Sequence, residues 1–234
     1  MRLAKPHIDV GLYSNQREAQ LAFWQHDVGL AFNHMAKLGG GVQQHRHDLL
    51  GSVLKMNHAR EPLEAGTATG LRELIISRRG LTRSKLLKDP DGNSVRLVPA
   101  GHDGITGIAV RIDVSDLTAA RAFYGGALEL PEAPGNGFRC GDSLLLLNHD
   151  PAAEPVGDMR ALGFRYMTMQ IHDVEAAHRA ILSRGGTEGA PPRRYGDTAY
   201  ISFVRDPDGN WIEISQRAEL TGPLDDPVFS TERH

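Results

Sequence analysis

Apolar and polar residues alternate with a period of two along several short runs of this chain, and between some of these runs the period lengthens to that of a helix. In the first half, alternation predicts strands over residues 7–14, 42–50, 52–57, 72–77 and 95–98. A helix is expected after the first of them. Asn15 is placed to cap it, Glu18 would complete a capping box, and Gly29 stands where a C-terminal glycine belongs. In the second half, Asp116 precedes a helical stretch that runs to about Leu128. Asp173 precedes Val174, Ala177, Ile181 and Leu182 at helical spacing, and Gly185-Gly186 closes that helix.

The two halves repeat each other. Asp-Pro-Asp-Gly-Asn occurs at 89–93 and again at 206–210, each time after a basic residue (Lys88, Arg205) and before an alternating strand. Proline presets a turn, Asp caps it and Gly supplies positive φ, so one copy would predict a hairpin. Two copies in matching context predict a repeated architecture. The match extends to Leu21-Ala22-Phe23-Trp24 against Arg121-Ala122-Phe123-Tyr124, and to the strand ending in Asn57-His58 against the one ending in Asn148-His149. Each unit reads β-α-β-β-β, which makes an α+β fold of repeated βαβββ modules. The expected organisation is one domain over 1–101, with its second module shortened, a second over 104–216, and a polar tail over 217–234.

Composition narrows the class. A chain of 234 residues with 40% hydrophobic content can bury a substantial core. A formal charge of −3 gives no reason to expect nucleic acid or an anionic membrane as a partner. Cys140 is the single cysteine, which rules out an intrachain disulfide and a cysteine-rich zinc site. With no apolar signal region and no stretch near the roughly 20 residues of a membrane span, a cytoplasmic protein is expected.

The βαβββ units, the Phe-Trp and Phe-Tyr pairs in the first helices, and the Asp-Pro-Asp-Gly-Asn turns together resemble the vicinal oxygen chelate superfamily. That group includes glyoxalase I, extradiol ring-cleavage dioxygenases and bleomycin-resistance proteins. The resemblance covers about residues 7–216. It implies modules paired into cup-shaped half-barrels, a small-molecule substrate, and a homodimer as one common assembly. It also implies a divalent metal held by His or Gln early in first strands and Glu in last strands. Those positions fall on Ala109, Tyr166 and Glu213 in the second half, and on Asp9, Glu73 and Arg96 in the first. The His-His-Glu set of a ring-cleaving enzyme is not met.

Gln43-Gln44-His45-Arg46-His47 is the densest polar cluster in a predicted strand. His45 and His47 are two apart and project from one face. With Asp9 and Glu73 they form a candidate site for Fe, Mn, Co, Ni or Zn; the alternative is a solvent-facing strand edge. His7 shares the face of Asp9, and His58 is a further candidate, although the repeated Asn-His pair equally suits a turn-capping device. Glu213 is a candidate for proton transfer with Tyr166, and Arg111 for holding a substrate oxygen. Phe138, Tyr200 and Trp211 are candidates for an aromatic pocket. An internal Arg111–Glu213 ion pair in an inactive cup is the competing reading of those two residues.

The leading expectation is a metal-dependent isomerase, epimerase or lyase that works through an enolate. One alternative is a metal-free protein that binds a drug or antibiotic. A second is a relative of the extradiol dioxygenases.

Overall fold

The computed structural model describes residues 1–224. Its first half contains strands β1 (Leu3–Ser14), β2 (Phe32–Gly39), β3 (Val42–Leu49), β4 (Ser52–Ala59), β5 (Leu71–Arg78), β6 (Lys85–Lys88) and β7 (Ser94–Pro99). The second adds β8 (Ile108–Val114), β9 (Glu132–Ala133), β10 (Gly137–Cys140), β11 (Ser143–His149), β12 (Gly163–Ile171), β13 (Thr187–Tyr195), β14 (Ala199–Arg205) and β15 (Trp211–Arg217). Helices α1 (Arg17–Ala22) and α2 (Leu117–Arg121) each run on into a π-helical turn, Phe23–Asp27 and Ala122–Ala127, while α3 is Val174–Ser183 and α4 is Ala218–Thr221. The rest of the expected polar tail, 225–234, lies outside the described residues.

Every strand and helix predicted from the pattern is present, but the pattern did not mark β9, β10 or β13, and it missed β2. Nearly all of its residues are exposed, so no buried face imposes an alternation. Asp116 and Asp173 cap their helices as expected, accepting from Thr118 and Ala119, and from Ala176, backbone N–H groups. The expected capping box at α1 does not form. Asn15 instead donates to the Ala59 and Glu61 carbonyls and accepts from the Leu63 N–H, while Glu18 pairs with Arg17. Gly29 does close the helix, at φ 78°.

The sheets do not follow the two halves. One has eight strands in the order β13-β14-β15-β12-β1-β4-β3-β2, and the other seven, β6-β7-β5-β8-β11-β10-β9. The first βαβββ module therefore pairs with the fourth, through antiparallel β1 and β12, and the second with the third, through β5 and β8. Each sheet is a cup completed within one chain. One face of each sheet contributes to a common apolar core that includes Ile8, Val10, Leu54, Met56, Leu74, Ile76, Val110, Ile112, Met167 and Ile214. Alternation puts the intervening residues on the opposite face, here called the cup face.

The repeated turns stitch these pieces together. Asp89 and Asp206 each accept from the side chain and backbone N–H of the asparagine four residues on, Asn93 and Asn210. Tyr124 donates its hydroxyl to Asp206, and Trp24 reaches Asp89 through Gln20. The asparagines then cross over. Asn93 accepts from the Phe164 N–H at the start of β12, and Asn210 from the Gly70 N–H just before β5. An Asn210→Ala substitution orphans the buried Gly70 N–H and removes one of the two side-chain donors to Asp206 Oδ2, which keeps the Tyr124 hydroxyl. It should cost about 1–3 kcal/mol of stability, read as a lower urea midpoint. A midpoint unchanged from wild type would contradict this role.

Candidate functional site

The cup face of the eight-stranded sheet holds a buried polar network whose centre is Lys55. Its side chain is 1% exposed. Nζ donates to Thr168 Oγ1 at 2.6 Å and lies 3.1 Å from both carboxylate oxygens of Glu213. The register explains the convergence: Thr168 lies beside Glu213 in β12 and β15, and Asp9 lies opposite Thr168 on β1. Asp9 accepts from Lys5 Nζ at 2.8 Å, the Val53 N–H at 2.9 Å and Gln170 Nε2 at 3.1 Å. The Tyr166 hydroxyl accepts from Asn57 Nδ2 at 3.2 Å and Gln44 Nε2 at 3.4 Å, and Asn57 also donates to the Leu12 carbonyl.

Charge is balanced inside this cup. Burial raises the Asp9 pKa, but the Lys55 and Lys5 charges and the bonds from Lys5 and Gln170 outweigh it, so the carboxyl sits below its ordinary value. Burial pulls the Lys55 ammonium down while Glu213 and Asp9 pull it back up. With three oxygens at hydrogen-bond distance, the ammonium is the form this site accommodates. Burial, and then the Glu213 charge, lift the Tyr166 hydroxyl well above its usual value, which keeps it protonated. Glu213 and Tyr166, the candidates for proton transfer, thus lie in one buried polar network. Both are nearly fully buried, and their oxygens are engaged within the network.

The expected metal set is not assembled. His45 and His47 do share a face, but it is the one opposite the cup: they pair across β3–β4 with Met56 and Leu54 of the core side. There His47 stands 5.5 Å from the Phe32 ring and 3.3 Å from the Gln25 amide. Asp9 faces the cup on another strand, and Glu73 belongs to the other sheet. Among the described residues no group of three or more His, Cys, Asp or Glu side chains is arranged to hold a metal ion. The resemblance to the vicinal oxygen chelate superfamily implies a divalent ion, but the donors here do not fit one. Lys55 already engages both Glu213 oxygens, and three hydrogen-bond donors engage Asp9.

Other candidates move as well. Phe138 is a core residue 6.0 Å from the Tyr124 ring, and Tyr200 turns to the helix side, where its hydroxyl bonds Glu175 of α3. Trp211 is held at the edge of its strand, with Nε1 on the Gly157 carbonyl and Arg205 4.5 Å over its ring. His7 packs against Gly51, where an added Cβ would meet its ring at 2.5 Å. Asn57 is part of the cup network rather than a turn cap. Arg111 and Glu213 lie in different sheets, so the ion pair weighed between them does not form.

Arg111 instead belongs to the seven-stranded cup. Its Nε lies 3.3 Å from Glu73 Oε2, while Arg96 closes on Glu73 Oε1 through Nε at 2.9 Å and Nη2 at 2.7 Å. Glu73 is nearly buried, and the arginines are 36% and 43% exposed (Arg96 and Arg111). With Ile75, Ser84, Val98, His102, Asp103, Ile105 and Leu146 they line a cavity of about 240 Å³. The sequence hid Lys55 because a charged residue at an alternate strand position reads as solvent-facing, while Arg96 stood out only as a departure from the expected last-strand glutamate. Lys55 did leave one signal, since the repeat matches it with Leu146.

Burial first, with the His45 charge adding to it, pulls His47 down to about 4. The unfolded chain keeps the ordinary value of about 6.5. Between these values the unfolded state binds the extra proton, so stability falls as pH drops from about 6.5 towards about 4. His47→Gln should flatten that stretch of the profile, measured as urea midpoints at neutral and mildly acidic pH. An unchanged slope would place the acid sensitivity elsewhere.

Comparison with known proteins agrees with this architecture. Residues 108–214 match the family described as Glyoxalase/Bleomycin resistance protein/Dioxygenase superfamily. Glyoxalase I from Zea mays superposes with a TM-score of 0.70 at 13% identity, covering 92% of each chain. A candidate dioxygenase from Bacillus subtilis subsp. subtilis str. 168 superposes with a TM-score of 0.67 at 12% identity, covering 92% of this chain and 86% of the other. At such identities the likeness is one of fold. No curated protein matches in sequence. The second half of the chain thus matches the Glyoxalase/Bleomycin resistance protein/Dioxygenase superfamily model, and the whole chain shares the fold of these solved structures.

Proposed function

We propose that the chain binds a small, oxygenated, anionic molecule in the seven-stranded cup, and that it does so without a divalent metal. The observation that carries this reading is the Glu73 clamp. Glu73, behind the cavity wall, fixes two guanidinium groups that line a cavity of about 240 Å³, opposed there by the single carboxylate of Asp103. Glu73 engages Nε and Nη2 of Arg96 but only Nε of Arg111. The terminal nitrogens of Arg111 and Nη1 of Arg96 therefore remain for a carboxylate or enolate. Ile75, Val98, Ile105 and Leu146 suit the apolar remainder of such a molecule. Among the expected functions, this corresponds to the metal-free ligand-binding protein.

An enzymatic reading has one specific observation in its favour. Glu73 is a carboxylate placed next to two cations, and an acid–base isomerisation needs this combination: a base for the proton α to a carbonyl and positive charge for the enolate oxygen. Glu73 would then be the base and Arg111 the oxygen-holding group. Ring cleavage lacks its His-His-carboxylate ligands among the described residues.

Titration with a panel of α-keto and α-hydroxy carboxylates should give saturable binding that survives EDTA. Arg111→Ala should weaken it by at least tenfold, corresponding to about 1.4 kcal/mol, and Arg96→Ala by a similar factor. Calorimetry checks both. Binding that requires added metal, or is indifferent to both arginines, would defeat the proposal. Deuterium exchange at the ligand's α-carbon, followed by proton NMR, separates enzyme from binder: exchange lost in Glu73→Gln marks catalysis, and its absence marks binding alone.

A further inference from the structure

A second, unrelated concentration of positive charge lies at the far end of the eight-stranded sheet, where β2 turns into β3. Arg17, Lys37 and Arg60 line a cavity of about 420 Å³ there, together with His58 and Gln43. Among the described residues, Lys37 and Arg60 take part in no ion pair and no side-chain hydrogen bond. Arg17 alone is neutralised, by Glu18, whose own side chain is 77% exposed. Glu61, next to Arg60 in the sequence, does not line the cavity. Three cations thus face one opposing carboxylate.

The local chain leaves this opening unfilled. Gly39, Gly40 and Gly41 have φ of 82°, 54° and 74°, a left-handed run that other residues rarely adopt. A Cβ added at Gly39 would meet nothing within 4 Å. Arg160, from the second half, holds the turn by donating to the Gly40 carbonyl at 3.0 Å. His58 keeps a buried Nδ1 with no hydrogen-bond partner. Its pKa is lowered first by burial and then by the Arg17 charge, with Arg60 contributing and Glu18 opposing, so the positive field reaches the cavity wall.

We infer that this turn forms an anion site for the phosphoryl group of a small phosphorylated molecule. Clustered guanidinium and ammonium donors suit a compact dianion better than a single carboxylate, because the dianion satisfies two or more of them at once. The volume leaves room for part of the molecule that carries the group. The site is separate from the seven-stranded cup, as it shares no residue with the Glu73 clamp.

Pyrophosphate and inorganic phosphate are the probes, titrated into the full-length protein at constant ionic strength and followed by calorimetry and by the imidazole NMR signals of His58. Saturable binding of both is expected, tighter for pyrophosphate, together with movement of the His58 signals. The double variant Lys37→Ala/Arg60→Ala should weaken pyrophosphate binding at least tenfold, with thermal stability unchanged because both side chains are exposed. Arg111→Ala should leave it intact. The inference is overturned if sodium chloride at the same ionic strength gives the same response, if acetate competes as well as phosphate, or if the double variant binds like wild type. Loss of pyrophosphate binding in Arg111→Ala would overturn it too, by assigning the anion to the cup.

Discussion

The buried pair between Lys55 and Glu213 is the constraint on which the eight-stranded cup depends. It joins residues 158 apart in sequence, from the last strand of the first module and the last strand of the fourth. A charge brought out of water is tolerated only with close, well-satisfied partners, and removing one partner of such a pair typically costs about 3–5 kcal/mol. Lys55 meets that condition with Glu213 and Thr168, and Asp9 meets it with Lys5, Gln170 and the Val53 N–H. The network also determines what the cup can do. Its carboxylates are already neutralised from within, so the positive centre of this cup is an ammonium group of the chain itself. The seven-stranded cup has the complementary design, with two partly exposed cations around one carboxylate and a space beside them.

The repeated Asp-Pro-Asp-Gly-Asn turns serve the same end. In each, the first Asp organises the loop and anchors an aromatic helix residue, directly from Tyr124 or through Gln20 from Trp24. Each asparagine then bonds a backbone N–H at or just before the first strand of the opposite module. A motif that looks like two independent hairpin signals is therefore a reciprocal fastening between halves. It fixes β5 and β12, the strands that carry Glu73 and Thr168, and so positions both cups.

Much of this was legible in the sequence. Alternation, the repeat and the caps at Asp116 and Asp173 are local, and they located most of the elements. Which module pairs with which is a long-range matter that no local pattern records, and the fold pairs first with fourth and second with third. The site was less legible. Spacing predicted that His45 and His47 share a face, but period-two alternation does not say which face, and both faces of β3 are largely buried. Phe138 and Tyr200 were read as lining a pocket because aromatic residues suit both pockets and cores, and packing against Tyr124 and Glu175 decided for the latter. Lys55 was passed over because lysine in an alternating strand ordinarily faces water. Only the partners gathered around it by β12 and β15 make its burial possible.

The most direct test of this account is a manganese titration of the wild-type protein followed by electron paramagnetic resonance, with Lys55→Ala and Glu213→Gln alongside. If Lys55 supplies the positive charge of the eight-stranded cup, wild type should show no stoichiometric manganese site. Lys55→Ala, which leaves Glu213 and Asp9 without their central cation, should be the variant in which manganese gains affinity. One equivalent of manganese bound tightly by wild type and lost in Glu213→Gln would contradict the account and return the cup to metal chemistry.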